Sequence, residues 1–323
     1  MITQSLNSEN LRHALELAGR APSVHNTQLW QFVVSDTSVD LYANLQRWLP
    51  ATDADRRDLM LSCGAALHHL RLALESSGLG GHTSRLLGGE DSDLLASVKL
   101  APSPTSGSEL LAEIPRRRSD RRPFRHWPIP AEFLAQLAQH AADQGAVLRV
   151  IDDPRSRAAL LGAFVQAEIA QGEVVGYNSE LTVWTGLRGG PEGIPAQNLP
   201  DHLSSGVAAH RAFDLGDLSS ADVAGPEEDT LLVLGTASDD RLSQLRAGEA
   251  LSAVLLYATR LGLATCPLSQ PLEVADTREV LREEVLGGTL SPQIVVRLGW
   301  PQDEAIPPTP RRPVEETLGR LPR

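Results

Sequence analysis

Apolar residues recur along this chain in two rhythms, one of helix period and one of strand period. Leu11, Ala14, Leu15 and Ala18 form a stripe, and Ser8 stands where a cap belongs, so residues 8–20 are predicted to be helical. The run QFVVS reads as a strand, with Asp36 and Thr37 as turn residues after it. Leu59, Cys63, Ala66, Leu67, Leu70 and Leu74 return at helical spacing and predict a long helix to about Gly78. LLASVKL is a second strand, ending at Pro102, and SPTSGSE reads as an exposed linker.

The same grammar follows again. Phe133, Leu134, Leu137 and Ala141 mark a helix, VLRVI a strand, and Asp153 caps a helix to about Gln171. DTLLVLGT is a strand, residues 249–261 form a helix apolar nearly all round, and PQIVVRLGW closes the core as a strand. Between them, residues 172–228 are rich in Gly, Pro and Asn and carry no period. A stretch of that length is functional or disordered. Tyr177, Leu181, Trp184 and Leu187 offer it one apolar face, so it is read as a lid-like insertion.

The two rhythms contain a repeat. GAALHHLRLALESSGL aligns without a gap on GEALSAVLLYATRLGL, matching Gly64 with Gly248, Ala66 with Ala250, Leu67 with Leu251, Gly78 with Gly262 and Leu79 with Leu263. Downstream, SVKL matches VVRL. This predicts a duplication whose halves, 1–108 and 109–323, pack through their apolar helices like the subunits of a two-fold dimer.

Composition narrows the class. With 41% hydrophobic and 22% charged residues the chain is globular, and a net charge of −12 argues against nucleic acid or an anionic membrane as partner. No apolar run approaches the roughly 20 residues of a membrane span, and the N-terminus lacks the pattern of a signal peptide. Cys63 and Cys266 have no metal-type spacing, which fits a reducing cytoplasm.

Against the acidic background, RRRSDRRPFR stands out. In an extended chain Arg117, Ser119 and Arg121 point the same way and make a cradle for a phosphate dianion. A solvated patch is the plainer reading of that run alone. Three other stretches invite the same pair of readings. Pro22, Ser23, His25, Asn26 and Gln28 form a polar loop before a buried strand. Pro267, Leu268 and Ser269 follow the glycine that ends the apolar helix and read as a small-residue exit loop, whose exposed N–H groups suit a ligand edge. Arg311 and Arg312 come from a Pro-rich tail. There is no GxGxxG after a strand, no P-loop, no HExxH and no GxSxG. His68 and His69 diverge by roughly 100° on a helix, so no shared metal is expected.

Taken together, these stretches resemble the flavin-dependent nitroreductase superfamily. Its RRSxR motif, which holds the FMN phosphate, is matched by Arg117, Arg118, Ser119 and Arg121. Its APSxxNxQPW motif, which reaches the flavin from the partner subunit, is matched by APSVHNTQLW, with Leu29 where most relatives have proline. GLATC matches the GLGTC-like run along the isoalloxazine, and Arg311-Arg312-Pro313 matches a C-terminal RxP feature. The order is inverted, with APSxxN first, which fits one FMN between two fused halves. No RRSxR precedes Ala21, so a second site is not expected. The arrangement is similar to the mycobacterial Acg family of NAD(P)H nitroreductase-like proteins, associated with dormancy.

The resemblance implies an α+β nitroreductase-like fold with an internal pseudo-dimer, a monomer in solution, and FMN as cofactor with NAD(P)H as reductant. It implies a small-molecule nitro- or quinone-type acceptor, with the flavin carrying the chemistry and no catalytic side chain. FMN storage beneath a closed lid is the alternative from the same residues.

Overall fold

A computed structural model describes residues 8–89, 92–102, 108–186, 190–201, 216–220 and 229–319. The periodic runs condense near their expected places. The first part of the chain gives α1 (Ser8–Ala18), β1 (Trp30–Val34), β2 (Ser38–Ala43), α2 (Arg57–Ser76), β3 (Thr83–Arg85) and β4 (Leu94–Lys99). Then come α3 (Ala131–Ala142), β5 (Val147–Val150), α4 (Pro154–Gly172), α5 (Tyr177–Trp184), and the paired β6 (Thr185–Gly186) and β7 (Ile194–Pro195). The rest comprises β8 (Thr230–Thr236), α6 (Arg241–Arg260), β9 (Ala264–Leu268), α7 (Gln270–Glu273), α8 (Ala275–Val280), β10 (Ser291–Gly299) and α9 (Val314–Thr317).

Four corrections follow. β2 carries a clean alternation, with Val39, Leu41 and Ala43 buried, yet it abuts the Asp36–Thr37 turn and is not among the expected strands. The exit loop after α6 is instead the strand β9, paired with β10 from Val295↔Leu268 to Gly299↔Ala264. Its small residues and proline are tolerated because β9 is an edge strand. The insertion, expected without regular structure, holds α5, with Tyr177 and Leu181 buried and Trp184 half-buried. Leu187 lies outside the described residues. Finally, α6 starts earlier than its apolar stretch, at Arg241, because Asp240 caps it through Ser243 N at 2.8 Å.

The two main sheets share one design. One runs β1-β2-β4-β3 and the other β5-β8-β10-β9, every pairing antiparallel. In each, the long helix follows the second strand in sequence. α4 through β7 are interposed between β5 and β8.

The long helices α2 and α6 cross at glycine. A Cβ on Gly64 would stand 2.0 Å from the carbonyl oxygen of Leu245, and one on Gly248 would stand 2.1 Å from that of Leu61. Only glycine lets two helix backbones approach so closely. The contacts are reciprocal at the offset that aligns the repeat. His68 Nδ1 lies 2.9 Å from Ser252 Oγ, another aligned pair. Leu61 of α2 packs in the second sheet's core while Leu245 of α6 packs in the first.

The end of the chain returns to the first sheet. Leu318 bridges Phe32, Gly319 N donates to Phe32 O at 2.7 Å, and Val314 joins the first core. Among the described residues no single helix is long and apolar enough to cross a membrane, although the bent pair α4–α5 passes that test of length and composition jointly.

Candidate functional site

The loop before β1 is bent by its own side chains. Ser23 Oγ accepts from Gln28 N at 3.0 Å, Thr27 Oγ1 donates to Val24 O at 2.7 Å, and Val24 N donates to Ser62 Oγ of α2 at 3.2 Å. His25, Asn26 and Gln28 have φ of 45°, 56° and 52°. Each left-handed non-glycine residue costs about 1–2 kcal/mol, and such strain concentrates at functional sites.

From Ser119 to Arg122 the arginine run alternates as an extended chain should. Asp120 and Arg122 turn inward: Arg122 Nε and Nη2 donate to the Asp120 carboxylate, each at 3.0 Å, and Arg297 donates to the carbonyls of Asp120 (3.0 Å) and Arg122 (2.7 Å). Asp120 N donates to Thr265 O of β9 at 2.9 Å, which pins the run along that edge. Arg117, Ser119 and Arg121 turn the other way and line cavities.

Two cavities share a wall made of Pro22, Ser23, Ser119 and Arg121. The larger, about 920 Å³ with its open mouth, lies between α2 and α6. Leu61, Leu251, Ile294 and Phe164 give it apolar surface, while His25, Ser269 and Gln270 bring polar groups. Pro267 and Leu268 of β9 close one side. The smaller, about 590 Å³, is lined by Arg20, Arg117, Arg118, Arg121 and Arg311, together with Asn26, and among the described residues by no carboxylate.

That smaller cavity is electrostatically unsatisfied. Arg117 is buried, and its Nε and Nη1 have no hydrogen-bond partner among the described residues, nor has Arg311 Nε. Burial, then the neighbouring charge of Arg118, pushes the Arg117 guanidinium down to about 10. Burial, then Arg117, Arg20 and Arg118, pushes Arg311 down to about 9. Arg311 is aimed by its bonds to Thr309 O (3.1 Å) and Pro310 O (3.0 Å). A buried cation without a counterion costs several kcal/mol, so the cavity is built for an anion. Phosphate fits the guanidinium forks.

Most of the expected residues therefore meet at one place: Arg117, Arg118, Ser119, Arg121, Pro22, Ser23, His25, Asn26, Pro267, Leu268, Ser269 and Arg311. Some do not. Gln28 lines neither cavity; its amide donates to Pro191 O at 2.8 Å and accepts from Arg312 N at 2.9 Å. Arg312 also lines neither and faces Glu192 and Glu316. Tyr177, Leu181 and Trp184 line neither cavity, and α5 is moored to the loop before α2, where Glu180 accepts from Thr52 N at 2.8 Å. Arg20, Leu61, Phe164, Leu251 and Ile194 were missed by sequence reasoning. Of these, only Arg20 carried a signal, since it abuts the APSxxN match. Among the described residues no three His, Cys, Asp or Glu gather as a metal site.

No protein-family model matches the chain. It is 41% identical over 324 residues to "Putative NAD(P)H nitroreductase Rv3131" of Mycobacterium tuberculosis, covering 98% of this chain and 93% of that one. It is 36% identical over 321 residues to "Putative NAD(P)H nitroreductase acg" of the same organism, covering 97% and 96%. Among solved structures, the FMN-dependent nitroreductase NfnB from Mycobacterium smegmatis in complex with NADPH aligns at a TM-score of 0.41 and 17% identity, over 65% of this chain and 96% of that one.

Proposed function

This chain belongs to the Acg-like family of nitroreductase relatives, and from that premise we propose that it binds FMN across the two joined cavities and works as an NAD(P)H-dependent flavin oxidoreductase. The observation that carries the proposal is Arg117, a buried guanidinium with two unpartnered nitrogens in a cavity walled by arginine. It calls for a permanent dianion, and the adjoining apolar cavity calls for a flat, largely apolar body joined to it. FMN has both parts.

The roles follow from placement. Arg117, Arg118 and Arg311 hold the phosphate, with Ser119 donating a hydroxyl. Arg121, on the shared wall, would place positive charge where the phosphate end meets the ring and would suit an anionic group there. Pro22, Leu61 and Leu251 supply apolar surface to the ring, and Pro267, Leu268 and Ser269 flank its edge. When bound, FMN supplies hydride transfer between nicotinamide and an acceptor. The acceptor we propose is a small nitro- or quinone-type molecule entering through the mouth of the larger cavity. No side chain is assigned as acid or base.

We read the architecture as two fused halves, 1–108 and 109–323, forming a monomeric pseudo-dimer, with 172–228 inserted in the second. The matching strand orders and the reciprocal glycine contacts support this. The first half then contributes the APSxxN loop and the second the phosphate arginines.

An anaerobic absorbance titration tests the function. A yellow protein bleached by NADPH or NADH supports turnover. Bleaching by dithionite alone favours the storage reading, in which the moored insertion keeps reductant out. A colourless protein that takes up no FMN overturns the proposal.

A further inference from the structure

Three separate segments meet at the arginine end of the site, and amide side chains tie them together. Asn26 Nδ2 donates both to Gly193 O of the insertion (2.9 Å) and to Pro310 O of the tail (3.1 Å). Gln28 repeats the arrangement: its Nε2 donates to Pro191 O (2.8 Å) and its carbonyl accepts from Arg312 N (2.9 Å). A third link joins the two outer segments directly, Asn198 Nδ2 to Pro307 O at 2.8 Å. Glu192 adds charge to the same junction, 2.8 Å from Arg47 and 3.8 Å from Arg312.

These segments also build the wall. Ile194 of the insertion and Pro308 and Thr309 of the tail line the arginine cavity. Ile194 and Leu199 are buried, yet neither belongs to the three main core clusters. Directed hydrogen bonds therefore tie residues 190–201 to the loop and the tail, outside the three cores. Segments held in that way open locally at lower free energy than core elements. Gln28 and Asn198 line neither cavity, so nothing in their own chemistry binds a phosphate.

Resting on the FMN reading above, we propose that Gln28, Asn26 and Asn198 form a clasp that gates the phosphate end of the site, so that the flavin enters and leaves only when residues 190–201 and the tail part from the loop. Gln28 and Asn198 are then positioning residues that set the residence time of the cofactor rather than its intrinsic affinity. The left-handed backbone at Asn26 and Gln28 serves this purpose, because it presents both amides to segments on either side of the loop.

The test measures FMN association and dissociation by flavin fluorescence on the full chain, comparing the parent protein with Gln28→Met and Asn198→Leu. Gln28→Met removes the side-chain hydrogen bonds to Pro191 O, Asn26 O and Arg312 N at nearly constant volume, and Asn198→Leu cuts only the insertion-to-tail link. Both rates should rise together, about tenfold, while Kd moves by less than about threefold. Hydrogen exchange should show residues 190–201 and 306–313 losing protection together in either variant. Unchanged dissociation overturns the gate. So does a Kd that rises by the whole change in dissociation with association constant, which marks mere support of the site. If Gln28→Met does not fold, Asn198→Leu decides alone. Failure of the parent protein to take up FMN defeats the flavin reading itself, a result distinct from FMN binding with unchanged rates.

Discussion

The two sides of the α2–α6 crossing start from the same plan and end differently. On one side Leu61 and Leu251 border an open cavity. Their aligned counterparts on the other side, Leu245 and Leu67, are fully buried in the first core. Where β9 walls the cavity, β3 sends Arg85 inward to Glu249, which also receives Arg71 at 2.7 Å. The residue of α2 aligned with Glu249 is Ala65. An ion cluster thus fills one side, whereas Arg117, with two unpartnered guanidinium nitrogens, keeps the other side ready for an anion. The lesson is that one order of strands and helices serves two sheets, and a few side chains decide which side is filled and which is left open.

The sharpest way to break this comparison is at its axis. Gly248→Val must displace the Leu61 carbonyl from 2.1 Å, so it should cost about 3 kcal/mol or more and empty both sides at once, as read by urea unfolding and flavin content. On the filled side, Glu249→Gln strands two cations. A loss of about 3 kcal/mol is expected, with FMN retention intact. On the open side the pattern reverses. Arg117→Met should weaken FMN about a hundredfold yet raise the apo protein's stability by about 1 kcal/mol, because it deletes a buried uncompensated charge. Equal loss of stability in the Arg117 and Glu249 variants would erase the distinction.

The smallest effect lies at the seam. Burial pushes His68 down to about 3, and burial together with the His68 charge lowers His69 well below its ordinary value. Both are then neutral when folded and protonate when unfolded. Their contribution is complete above the unfolded value of about 6.5 and is lost as pH falls from there toward 3. His68→Gln should flatten the stability slope between pH 6 and 4 by about 1.4 kcal/mol per pH unit. An unaltered slope would show that the histidine protonates without cost.

Much of this was legible in the chain. The alternation of Arg117, Ser119 and Arg121 predicted their shared face, because the extended backbone leaves side chains little choice. The repeat around Gly64 and Gly248 predicted the crossing. Contacts between distant segments were not legible. Gln28 has the residue type of a ligand-binding amide, and only the fold shows that Pro191 and Arg312 occupy it. Phe164 reaches the cavity from a helix whose own apolar stripe gives no hint of a ligand. β9 hid because Pro267 and its small neighbours suit an edge strand as well as a loop.

The return of the tail to the first sheet also bears on the order of folding. Arg311 donates to the carbonyl of Ala21, 290 positions away, and Leu318 bridges Phe32. Contacts so distant in sequence must meet the entropy of closing the loop before they stabilise anything. The arginine cavity is therefore among the last parts of the molecule to be completed as it folds.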